Sequence, residues 1–448
     1  MNTTLTIIAL FLALFTLIFL TIKVKLHPFF SLLLSSFVFG IVSGMGMELM
    51  LENFAEGMGS TIAGIGVVIT IGTVTGSLLE KSGSAETMAR SILKITGEKH
   101  ASLGLAITGY FVSIPVFCDS AMVLLSPIAK RLSRDTKISM TTMTVSLAMG
   151  LHATHMLVPP TPGPLAVAGI LNANLGTVIA MGALVSIPVT LVAHFLATKF
   201  GKKYYYLPEN IEEFDENQKL PNAFMAFTPI IIPIFLMVLK TIVDFPSHPF
   251  GEMNAFVQIM GIIGQPMIAL LIGMCIALFT YFSINPTDKE VYTFNGLFGE
   301  SLMTAGQIVL IVGAGGAFGS ILKASALQDI LVNALSGVEI GILAPFLIGA
   351  IFRTAIGSGT VAMVTSASMI LPMLDILGMS SPMGTVIAML ACAAGGFMVF
   401  HGNDDFFWVT ASTTEMDTSI AYKTMPIISI AQSFTALICV YILKIIFI

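Results

Sequence analysis

The chain is 448 residues long, 56% hydrophobic and only 10% charged, with a formal net charge of −5 and a mean hydropathy of +0.94. A soluble protein carries about 25% charged residues, so a soluble globular enzyme is excluded, and no basic patch is present that would bind nucleic acid. Apolar segments of bilayer-spanning length recur from end to end, which defines an all-α polytopic membrane protein.

In chain order the candidate spans are 5–21, 28–44, 58–79, 101–129, 140–170, 177–198, 224–243, 256–282, 301–322, 340–374, 383–410 and 425–448. The first has no basic leader and no small-residue cleavage site, so it reads as a span and not as a removed signal peptide. One long polar stretch, 199–223, divides the chain into 1–198 and 224–448. Lys and Arg in short loops mark the cytoplasmic side. They are Lys23 and Lys25; Lys81, Arg90, Lys94 and Lys99; Lys130, Arg131, Arg134 and Lys137; and Lys199, Lys202 and Lys203. Glu48, Glu52 and Glu56 stand without a basic neighbour between the second and third spans, and this loop is placed outside.

Both flanks of 101–129 are therefore cytoplasmic, yet two crossings need about 40 residues. A re-entrant hairpin fits, with Ser113, Ile114, Pro115, Val116, Phe117, Cys118 and Asp119 at its tip. Irregular backbone at that depth is tolerated only within protein or beside a water-filled cavity. The second half echoes the first. Gly76-Ser77-Leu78-Leu79 returns as Gly319-Ser320-Ile321-Leu322, and Ala121-Met122-Val123 returns as Ala362-Met363-Val364, the second at an offset of 241. Because the first half crosses an odd number of times, the expected fold is two inverted-topology repeats, each with a re-entrant hairpin and a broken transmembrane helix.

The second hairpin tip is Ile351-Phe352-Arg353-Thr354-Ala355-Ile356-Gly357-Ser358-Gly359-Thr360. Gly357 and Gly359 let backbone approach a ligand, Ser358 and Thr360 offer hydroxyls, and Arg353 can grip a carboxylate with two parallel hydrogen bonds. The run Pro159-Pro160-Thr161-Pro162-Gly163-Pro164 cannot be continuous helix, because proline removes donors and clashes with the preceding turn. Its freed carbonyls and Thr161 can meet a substrate or cation. At the same offset Pro160 falls on His401 and Pro164 on Asp405, so His401-Gly402-Asn403-Asp404-Asp405 is the matching break. Adjacent carboxylates at the end of an apolar run are expensive to keep unless they bind or move something. Asp119, Asp404 and Asp405 are the candidates for a coupling proton, since a carboxylate in a low-dielectric site holds its proton more tightly than one in water. His152 and His155 lack a third metal ligand; one of them can line the substrate cavity, and a structural role is equally open; His194 reads as structural. The glycines of 313–319 have no strand before them and read as a close helix contact, not a dinucleotide site. The four cysteines sit in apolar runs without metal-ligand spacing, and no metal or other cofactor is expected.

These residues resemble the gluconate:proton symporter family (gluconate permeases) of the ion transporter superfamily. The resemblance covers essentially the whole chain, at 78–89 (LLEKSGSAETMA), 114–119 (IPVFCD), 157–164 (LVPPTPGP), 313–318 (GAGGAF), 357–362 (GSGTVA) and 403–408 (NDDFFW). It implies proton-coupled import of gluconate or a similar hydroxylated monocarboxylate across the bacterial inner membrane, by a homodimer. Substrate contacts fall on Ser113, Asp119, Thr161, Arg353, Gly357, Ser358, Gly359, Thr360, His401 and Asn403. The family's Asn-Asp pair lies at Asn403 and Asp404, which makes Asp404 the first choice for the proton. Cys118 replaces an aromatic residue of the family pattern and Asp405-Phe406 replaces a small residue and glycine, so D-serine, glycerate or sodium coupling remain alternatives. A channel and an intramembrane enzyme are disfavoured. Ser113, Asp119 and His152 have no nucleophile–base–orienter spacing, and two broken halves suit alternating access.

Overall fold

The computed structural model describes residues 3–209, 219–244, 249–251, 254–327, 330 and 340–448. The described residues form helices and no strand. The first half runs α1 (Thr3–Ile22), α2 (Pro28–Val42), α3 (Met47–Lys81), α4 (Ser84–Thr96), α5 (Ala101–Val112), α6 (Cys118–Thr136), α7 (Met140–Leu157), α8 (Pro162–Ile170) and α9 (Leu175–Lys203). The second runs α10 (Ala223–Val243), α11 (Ala255–Ile263), α12 (Pro266–Ile284), α13 (Leu297–Lys323), α14 (Leu343–Ile356), α15 (Gly359–Ile370), α16 (Pro382–Gly396), α17 (Asp405–Thr413) and α18 (Thr418–Phe447). Seven helices among the described residues are long and apolar enough to cross a membrane; α2, α14, α15 and α16 are shorter apolar helices.

The order of elements repeats. A long helix (α3, α13) is followed by a helical hairpin (α5–α6, α14–α15), a broken helix (α7–α8, α16–α17) and another long helix (α9, α18). The two halves are inverted. Along α3, Gly57 lies against Gly316, Ala317 and Ser320, whereas Gly66 lies against Val309, so α3 and α13 run antiparallel. Lipid offers no hydrophobic drive between helices, so close packing of small residues does that work. A Cβ on Gly316 would collide with Thr61, which accounts for the glycine run of 313–319 as a helix contact. Across the halves, α8 packs on α15, and α17 packs on α6.

Each break has a local cause. A residue before proline avoids helical torsions, and Val158 is extended at φ −121°, ψ 114°, which ends α7. Pro159–Pro160 is a cis peptide, and Pro162 then opens α8, where its missing N–H costs nothing. In the other half Val399 takes a positive φ of 43°, and the freed Phe400 N–H donates to Ser429 Oγ at 2.9 Å.

Several boundaries differ from the sequence reading. Glu48, Glu52 and Glu56 are not in a loop; they belong to the first turns of α3, a 35-residue helix about 52 Å long. A helix longer than the bilayer carries polar residues at its ends, and acidic ones suit a helix N-terminus. The basic segment after α3 is largely the amphipathic α4, whose Thr87 hydroxyl donates to the Pro221 carbonyl at 3.0 Å. The span 256–282 is interrupted between α11 and α12, where Pro266 starts a new helix. Lys199, Lys202 and Lys203 continue α9 instead of opening the polar loop, and 210–218 of that loop lie outside the described residues.

Candidate functional site

Helix N-termini converge at one place. The first turns of α6 (Cys118, Asp119), α8 (Pro162), α15 (Gly359, Thr360, Val361) and α17 (Asp405, Phe406) all line a cavity of about 390 Å³, with Arg353, Asn403, His152 and His155. An N-terminus presents unpaired N–H groups and a partial positive charge. Those of α6, α15 and α17 can offer N–H groups to a bound anion, and α8, whose Pro162 has none, adds only its dipole.

Arg353 lies in the last turn of α14 and is 1% exposed. It pairs with Asp404 at 2.5 Å, donates from Nη1 to the Gly357 carbonyl, and lies over the Phe400 ring with its guanidinium carbon 5.6 Å from the centroid. Its Nε has no hydrogen-bond partner among the described residues. Asp404 caps α17, accepting from the Phe406 N–H at 2.8 Å. The Asn403 amide donates to the Thr354 carbonyl at 3.0 Å, which joins hairpin tip to broken helix. Gly357 has φ +90°, and a Cβ there would strike the Asn403 carbonyl oxygen. Ser358 caps α15. Asp119 Oδ1 is buried without a partner among the described residues.

Asp119, Arg353, Ser358, Gly359, Thr360, Asn403, Asp404 and Asp405 thus meet around one volume. Four other expected residues are not among the described residues lining it. Ser113 is buried in the first hairpin tip, its hydroxyl donating to the Val116 carbonyl at 3.5 Å. Thr161 closes its own break by donating to the Val158 carbonyl at 2.6 Å. Gly357 is packed on Asn403, and His401 is half-buried nearby. The sequence left His152 and His155 open between a cavity-lining and a structural role, and it did not assign Met156 or Phe406 to the site. The spacing of His152 and His155 on one face of α7 was the available signal. Met156 fills the gap between two glycines, Gly359 and Gly396, of the other half.

Two hairpins and two broken helices around a charged, anion-favouring cavity define a membrane permease. The chain belongs to the GntP permease family: the family's pattern, described as GntP family permease, matches residues 5–446. It is similar to an uncharacterized permease of Haemophilus influenzae, 36% identical over 90% of this chain and 84% of that one. It is also similar to a gluconate permease of Pseudomonas aeruginosa, 31% identical over 96% and 95% of the two chains. An inner membrane permease of Escherichia coli is 29% identical over 94% of each. The fold resembles that of the Alcanivorax borkumensis YdaH transporter, with a TM-score of 0.60, 17% identity, and coverage of 88% of this chain and 86% of that one. The protein is a multi-pass protein of the inner membrane.

Proposed function

We propose that the protein imports gluconate or a similar small hydroxylated monocarboxylate by proton symport. One observation carries this reading: among the described residues lining the cavity, Asp119, Asp404 and Asp405 share it with one fixed cation, Arg353. With all three ionised and the histidines neutral, these four groups carry a net charge of −2. A monoanion entering such a site has to bring a proton or a cation with it. Relatives described as gluconate permeases and as an L-idonate transporter support a sugar acid as that anion.

In this mechanism the substrate carboxylate faces Arg353 and the α15 N-terminus, while Asp404 takes the proton. Protonation removes the charge that holds Arg353, and the guanidinium turns from Asp404 to the substrate. When the substrate leaves on the other side, Asp404 loses its proton and the pair re-forms. The halves 1–198 and 224–448 serve as inverted repeats joined by the cytoplasmic connection 199–223, whose first residues continue α9. The proposed assembly is a homodimer.

The test is uptake by purified protein in liposomes, offered gluconate, other sugar acids, glycerate and D-serine under an inward proton or sodium gradient. The expected result is accumulation of a hydroxylated monocarboxylate driven by protons alone. Accumulation only with sodium, or of no acid at all, would contradict it.

A further inference from the structure

The wall contributed by α7 holds two histidines that the proton route does not use. His152 is 2% exposed and locked between rings, stacked on Phe400 with centroids 5.2 Å apart and edge-on to Phe397 at 5.1 Å. Gln432 of α18 sets its tautomer. The Gln432 Nε2 donates to the Met149 carbonyl at 2.9 Å, which leaves its Oε1 facing His152 Nδ1 at 3.4 Å as an acceptor. The imidazole proton then sits on Nδ1, and Nε2 is an acceptor. That atom is buried and has no partner among the described residues, although His152 lines the cavity. Nδ1 of His155, on the same wall, is a second such atom. Buried polar atoms are almost always paired, so an orphan on the wall of a ligand cavity marks a place for a ligand donor. Phe400 carries His152 and the Arg353 guanidinium alike, which puts acceptor and cation within reach of one small molecule.

We propose that His152 Nε2 accepts a hydrogen bond from a hydroxyl of the substrate whose carboxylate faces Arg353, and so selects hydroxylated over plain monocarboxylates. The inference rests on the cavity being the substrate site. A site built to bond a hydroxyl rejects the analogue lacking it, because the protein atom is left unpaired. Carboxylate recognition by Arg353 alone would not distinguish the two.

Titration calorimetry on the purified full chain would compare gluconate with gluconates lacking one hydroxyl each. For the native protein, one analogue is expected to bind at least about tenfold more weakly than gluconate. In His152→Phe, which keeps the aromatic packing, gluconate should weaken to that analogue's level while the analogue itself shifts by less than about threefold. Equal weakening of every ligand, or a native protein indifferent to each deletion, would overturn the proposal. If His152→Phe does not fold, nitrogen NMR of histidine-labelled native protein serves instead. Gluconate should then move the Nε2 resonance and the poorly bound analogue should not; an Nε2 signal unmoved by gluconate overturns the proposal. If neither gluconate nor any of its analogues binds, the proposed function falls with it, whereas gluconate binding without discrimination removes this inference alone.

Discussion

Arg353 heads the largest fully buried side chains of the described core, an unusual rank for a cation. A charge at that depth persists only when paired, and Asp404 at 2.5 Å supplies the pair. Removing one partner of a buried ion pair costs about 3–5 kcal/mol, because the other is left uncompensated. Arg353→Ala is therefore expected to lower the melting temperature in detergent sharply, and adding Asp404→Asn should recover much of the loss. Equal destabilisation in the single and double variants would mean that the two side chains are not energetically coupled. Arg353→Lys keeps the charge without the fork. Its substrate affinity is expected to fall about tenfold or more with little loss of folded protein, a split that calorimetry and size-exclusion yield would read together.

At the scale of elements, the site depends on short helices that stop where they do. Gly357 lets α14 end and α15 begin within two residues, at a φ of +90° that costs other L-residues about 1–2 kcal/mol. Its missing side chain also admits the Asn403 carbonyl. Gly357→Ala should push the second hairpin tip off the broken helix and weaken substrate binding by about tenfold or more. Binding and stability both unchanged in that variant would show that this contact positions nothing. The breaks were legible beforehand because proline and glycine act locally. The start of α3 and the whole of α4 were not, since polar residues on a helix emerging from the bilayer look the same as a loop. The role of His152 was hidden for another reason. Its tautomer depends on Gln432, 280 residues away, and no local pattern carries that.

Taken whole, the molecule ties its halves together unequally. Lys130 at the end of the first hairpin pairs with Glu415 beyond α17 at 3.0 Å, and the Glu209 N–H donates to the same carboxylate at 3.1 Å. Beside them the Tyr206 hydroxyl donates to the Thr414 carbonyl at 2.9 Å; burial pushes its ionisation up to about 12, so it stays a donor at physiological pH. At the end of α15, Lys323, Asp375, Asn172 and Asn174 instead border an open cavity of about 520 Å³. The repeat itself was readable from the echoes at Gly319 and Ala362, together with loop charges. Which hairpin end is tied and which is open was not, because it rests on contacts between residues far apart in the chain, such as Lys130 with Glu415.

The central claim is that Asp404 couples a proton to the anion, and proteoliposomes test it most directly. A one-unit pH gradient is worth about 1.4 kcal/mol per proton, or tenfold accumulation at one proton per monoanion. Symport of one proton with one monoanion is electroneutral, so accumulation should be independent of membrane potential. The native protein is expected to reach about tenfold accumulation per pH unit. Asp404→Asn should lose this while retaining counterflow of labelled substrate, because exchange requires no net proton movement. An Asp404→Asn protein that still concentrates substrate down a pH gradient would contradict the account and move the proton to Asp119.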